Sequence, residues 1–104
     1  MRSFSVSFRP QALEDLEAIF MAVLSGTGSV AIAVGFVERL RLRCERIGHA
    51  PHGGRPRDDL EPGLRTVPFE KTAVIAYRVE ENRVRVLAIF YGGRDYEALY
   101  RNGE

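Results

Sequence analysis

His49 and His52 stand three residues apart, and they are the only histidines in this 104-residue chain. Histidine is the side chain whose unperturbed titration lies closest to neutral pH, so these two are the first candidates for moving a proton. They lie at the start of a loop, APHGGRPRDDLEPG, with no cysteine beside them and no carboxylate at ligand spacing. A solvated or helix-capping role is therefore expected, and no metal site. The remaining chemistry is arginine. Of 15 Lys plus Arg residues only Lys71 is lysine, which leaves 14 arginines. Guanidinium can hold a phosphate or carboxylate in its planar fork, but its pKa is too high for it to serve as a base. Cutting RNA would need a group to take the 2′-hydroxyl proton, a group to protonate the leaving oxygen, and positive charge on the phosphate. This arginine set supplies only the last.

Arg65, Arg78, Arg83, Arg85, Arg94 and Arg101 fall on or after the strands expected in the C-terminal half. Alternation puts Arg83 and Arg85 on one face, opposite Val84 and Val86. Such a row is either a solvated face, ion-paired to Glu80, Glu81 and Asp95, or an anchor for acidic groups of a partner. Gly92, Gly93, Arg94, Asp95 and Tyr96 form a second group. Paired glycines let the chain leave a strand sharply and present an arginine and a tyrosine at its end. Asp95 capping a last helix and Tyr96 packing on the sheet is the structural alternative.

The elements that must position these groups are legible from periodicity. Phe4, Val6 and Phe8 alternate with serines as a strand, and Pro10 opens a helix in which Leu13, Leu16, Phe20 and Val23 recur at helical spacing. Glu14, Asp15 and Glu17 sit near its favourable N-terminal end. SGTGS at 25–29 is a turn with Ser29 as N-cap. A second helix follows with Val30, Ala33, Val34, Val37, Leu40, Cys44 and Ile47 as its buried stripe. Residues 49–63 hold three prolines and three glycines and read as a loop inside one domain. Residues 64–70, 72–80 and 83–91 read as three strands, with Pro68 at an edge or bulge. The apolar run from Val84 to Phe90 marks a central strand covered on both faces, and RDYEALYR a short terminal helix. The order β-α-α-β-β-β predicts a small, mainly antiparallel sheet packed on a helical hairpin, an α+β domain over 1–104. Apolar positions on the edge strands and the hairpin would form a groove for a partner's helix or strand.

Composition narrows the classes. At 45% hydrophobic and 28% charged, the chain reads as one globular domain. Net charge is only +1, against a protein held to DNA by bulk electrostatics. A single cysteine, Cys44, excludes an internal disulfide. No signal peptide or membrane-length apolar run is present, so a cytoplasmic location is expected.

The element order and three strings, FRPQALEDLEAI at 8–19, RPRDDLEPGLR at 55–65 and IAYRVEENRVRVLAIFYGGRDYEAL at 75–99, resemble the ParE branch of the ParE/RelE toxin superfamily. The resemblance implies a toxin of a type II toxin–antitoxin system, neutralised by a small ParD-like antitoxin encoded beside it. ParE-like members are associated with inhibition of DNA gyrase and RelE-like members with mRNA cleavage on the ribosome. By approximate alignment to the RelE-like basic set, Arg65 matches one position and Tyr100 the terminal tyrosine, while Val67, Phe69 and Tyr96 stand where basic residues are expected. The ParE-like implication is a gyrase-binding growth inhibitor with no catalytic residue, no cofactor, no membrane association and no direct specific DNA binding. Arg65, Arg78, Arg83, Arg85, Arg94, Asp95 and Tyr96 would be its target- or antitoxin-binding residues. The alternatives are a ribosome-dependent RNA endonuclease, with Arg65 and Arg94 on phosphate and Tyr100 or a histidine in proton transfer, and a non-toxic partner-binding domain.

Overall fold

Strand β1, Ser5–Phe8, hands the chain directly to helix α1, Pro10–Thr27, through Arg9 at the N-cap. The computed structural model describes residues 3–102. Pro10 occupies the first helical turn, where its missing N–H costs nothing. Gly28 ends the helix in the left-handed region at φ 69°, its N–H donating to the Leu24 carbonyl at 2.7 Å. Ser29 then caps α2, Val30–Arg46, its hydroxyl accepting from the Ile32 N–H at 3.1 Å. The inter-helix turn is thus shorter than expected. Ser25, Gly26 and Thr27 wind into α1, and the Thr27 hydroxyl donates back to the Val23 carbonyl.

The buried faces differ from the expected stripes by a fraction of a turn. In α1 the interior positions are Ala12, Leu16, Ile19 and Val23, and Leu13 is 47% exposed. In α2 they are Ala33, Phe36, Leu40 and Cys44, followed by Ile47, while Val30 and Val34 face outward. Both corrections have one cause. Ala12 and Ala33 are fully buried where the chain needs small side chains, and that rotation brings Phe36 edge-on to Phe69 and Tyr91 at centroid separations of 5.5 and 5.8 Å.

The sheet has five strands in the order β1-β5-β4-β3-β2, with β1 parallel to β5 and the other pairs antiparallel. Strands β3, Arg65–Phe69, β4, Ala73–Glu80, and β5, Arg83–Tyr91, match the expected ranges closely. The loop before them contributes a further two-residue strand, β2, Arg55–Pro56, which pairs only with Arg65 and Thr66. Pro68 lies beyond that pairing, where β3 is the sheet edge and a missing N–H is harmless. Glu70 and Lys71 make the β3–β4 turn with φ of 47° and 61°.

A bulge in β5 explains its continuous apolarity. Ala76 pairs with Ala88 but Tyr77 with Val86, so Leu87 is the extra residue and the facing alternation reverses there. Val84, Val86 and Ile89 therefore join the core under the helical hairpin. Leu87 and Phe90 join a second apolar cluster with Leu64 and Ala76. Partly buried side chains of α3, Tyr96–Arg101, cover that cluster.

Candidate functional site

The arginines singled out from the sequence separate into three places. Arg65 is consumed by the chain itself. One of its terminal nitrogens donates to the carbonyls of His52 and Gly54, each at 2.9 Å, clasping the loop before β2. Tyr77, its register partner on β4, closes the same loop from a fully buried position. The Tyr77 hydroxyl donates to the Pro51 carbonyl at 2.8 Å and accepts from the Gly54 N–H at 2.9 Å. Burial pushes that phenol above its usual range. The His52 ring sits edge-on to Phe4, and His49 ends a 3₁₀ turn.

Arg78, Arg83 and Arg85 are brought together on the sheet face away from the helical hairpin. Arg78 is the register partner of Arg85, and Glu80 of Arg83. Like charges directly opposed cost energy unless neutralised. Arg78 pairs with Glu61 at 3.4 Å and Glu80 at 3.5 Å, and Arg85 donates to the Ser7 hydroxyl at 3.3 Å. The Arg78 Nε is buried without a hydrogen-bond acceptor.

Arg94, Asp95 and Tyr96 lie at the opposite end of β5. Gly92 and Gly93 both adopt positive φ, 77° and 75°, turning the chain off the strand. The Asp95 carboxylate caps α3 by accepting from the Ala98 N–H. Tyr96 stacks on Phe90 at 5.1 Å, and the Arg94 guanidinium lies 5.7 Å from the centre of the same ring.

What holds α3 down is Arg57, a residue that sequence reasoning missed. It is 4% exposed and forks onto Asp59 at 3.0 and 2.8 Å. It also donates to Glu97 at 2.6 Å and to the Tyr96 hydroxyl at 3.3 Å. The guanidinium holds the Asp59 carboxyl below the usual carboxylate range. An arginine followed by two aspartates in a proline-rich loop carries no local mark of burial, since Glu97 is 40 residues away.

A cleft of about 560 Å³ opens between the start of α1, the bulge of β5 and α3. Arg9, Arg94, Asp15 and Glu61 bring charge to its lining, and Leu87, Phe90, Leu99 and Tyr100 bring apolar surface. Burial and the nearby Glu61 carboxylate push the Tyr100 phenol up, so at neutral pH it is a protonated donor rather than a base. Among the described residues no three His, Cys, Asp or Glu side chains gather as metal ligands. Cys44 is buried and its thiol is pushed up to about 12, which leaves it unreactive.

Comparison with known proteins agrees with this geometry. Residues 6–96 match the family described as ParE toxin of type II toxin-antitoxin system, parDE. The chain is 35% identical over 78 residues to Toxin ParE3 of Caulobacter vibrioides, covering 75% of this chain and 76% of that protein. Its fold superposes on a chain of the chromosomal ParDE toxin–antitoxin system from P. aeruginosa with a TM-score of 0.75 at 22% identity, covering 86% of this chain and 97% of that one.

Proposed function

The chain belongs to the ParE toxin family of type II toxin–antitoxin systems, and from that premise we propose that it arrests bacterial growth by binding DNA gyrase and is neutralised by a cognate ParD-like antitoxin. One observation carries the choice of binding over bond cleavage. Arg65, the basic residue aligned with the RNA-cutting branch, has its guanidinium tied to the His52 and Gly54 carbonyls and turned from the sheet face that bears Arg78 and Arg85. Tyr100 is a protonated phenol, and no histidine lines the cleft beside it. The carboxylates that line the cleft, Asp15 and Glu61, are engaged by the Ile89 N–H and by Arg78, so a phosphate held there would meet charge without an unengaged base.

The antitoxin's place is supported by what the hairpin leaves uncovered. Leu13, Met21, Val30, Ile32, Val34 and Leu42 on α1 and α2 are 41–60% exposed, apolar surface that the fold itself leaves uncovered. An amphipathic antitoxin segment laid on them would hide that surface and stabilise the toxin by mass action. Arg78, Arg83 and Arg85 on the sheet, and Arg94, Asp95 and Tyr96 at its end, are the proposed target- or antitoxin-binding residues. The protein would act in the cytoplasm, and no described helix is long and apolar enough to cross a membrane.

The test is induction in a bacterial host without the antitoxin. Growth arrest with DNA breakage and intact transcripts is expected, reversed by co-expressing the antitoxin. Shortened transcripts with undisturbed DNA would replace gyrase by RNA as the target, and unimpeded growth would leave a non-toxic binding domain.

A further inference from the structure

Two guanidiniums without a direct ion-pair partner among the described residues line the cleft between the start of α1 and α3. Arg9 occupies the N-cap of an 18-residue helix without capping it, and the first turn holds no acidic residue. A cation there faces the positive end of the helix dipole, a local conflict of the kind that marks functional positions. Arg94 flanks the same cleft. Among the described residues neither guanidinium has a carboxylate within ion-pair reach. The two acids on the cleft wall are already engaged: Asp15 accepts from the Ile89 N–H at 2.8 Å, and Glu61 pairs with Arg78.

We infer that this cleft takes an acidic segment of the toxin's protein target, one carboxylate forked between Arg9 and Arg94 and a neighbouring apolar side chain set against Leu87, Phe90 and Leu99. The inference rests on the reading of this chain as a toxin that acts by binding. A protein segment fits better than nucleic acid because Arg9 and Arg94 stand beside the apolar walls of Leu87, Phe90 and Leu99, in a chain of net charge only +1. Guanidinium matches carboxylate geometry in two parallel hydrogen bonds, and the apolar walls give the adjoining side chain a dry seat.

The probe is the capped tripeptide leucine–glutamate–phenylalanine, titrated to roughly 10 mM, the range in which so small a ligand is expected to bind. It is added to isotope-labelled full chain, and the side-chain Nε–H signals of Arg9 and Arg94 are followed. Both signals should shift saturably. The glutamine counterpart should bind about tenfold more weakly, as should the glutamate peptide to Arg9→Gln or Arg94→Gln. Arg46→Gln, at the C-terminal end of α2, should bind normally. In cells Arg9→Gln should lose growth arrest yet still co-purify with the antitoxin. Equal binding of both peptides, no shift at all, or a stronger response of the same signals to a short single-stranded RNA would overturn the inference. Arrest by the unaltered chain with no peptide binding would remove the cleft and leave the toxin reading standing, whereas absence of arrest would strike the toxin reading itself.

Discussion

Tyr77 shows how single residues decide what the rest can do. Its hydroxyl satisfies one buried carbonyl and one buried N–H, and a Cβ on Gly54 would lie 2.5 Å from that oxygen. Tyr77→Phe leaves both backbone groups unpaired, a loss of about 1–3 kcal/mol. Urea denaturation should show it as a lower midpoint at unchanged slope. Gly48→Ala should be harsher, since its Cβ would meet the Phe4 carbonyl oxygen, which is backbone and cannot yield. At the α3 end the same reasoning separates function from support. Tyr96 stacks on Phe90 and accepts from Arg57, so its removal disturbs packing. The Arg94 guanidinium lies over the Phe90 ring and has no carboxylate partner among the described residues, so Arg94→Gln should abolish growth arrest while leaving the thermal midpoint nearly unchanged. Loss of folding in Arg94→Gln would make it structural.

Among the elements, β5 depends on α1 for more than apolar contact. Strand β1 stops at the Phe8–Val86 pair, so past the bulge the ladder partner of Ile89 is missing, and the Asp15 carboxylate takes its place. Asp15→Ala should cost about 1–3 kcal/mol and speed exchange of the Ile89 amide, whereas Asp15→Asn, which keeps an acceptor, should cost less. The clamp on α3 brings a pH dependence. The folded carboxyl of Asp59 titrates below its unfolded value of 3.8, so its stabilisation is complete above that value and is lost as pH falls through the folded one. The stability gap between the parent and Asp59→Asn should therefore narrow below about pH 4 and be constant near neutrality. Strands β3 to β5 were legible because period-two alternation and turn residues mark them locally. The helix stripes were legible only to a fraction of a turn, because 12-16-19-23 and 13-16-20-23 are both helical spacings and alanine is a weak apolar signal. The bulge, the Arg57 clamp and the cleft were not legible. The clamp and the cleft are made by residues distant in sequence, Arg57 with Glu97 and Arg9 with Arg94, and the bulge is a register shift that the continuous apolar run of β5 hides.

At the scale of the whole molecule the chain presents two unlike surfaces. The helical hairpin carries exposed apolar side chains, and the far face of the sheet carries arginines, with Arg9 and Arg94 on a cleft beside it. Such a division suits a protein that is covered on one side by its antitoxin and grips its target with the other. The most direct measurement is on purified components, with toxin added to gyrase and relaxed plasmid in one vessel and to ribosomes translating a labelled message in another. Supercoiling should fall with toxin concentration while the message stays full length. A message cut in step with toxin concentration, with supercoiling untouched and cutting lost in Tyr100→Phe, would contradict the account.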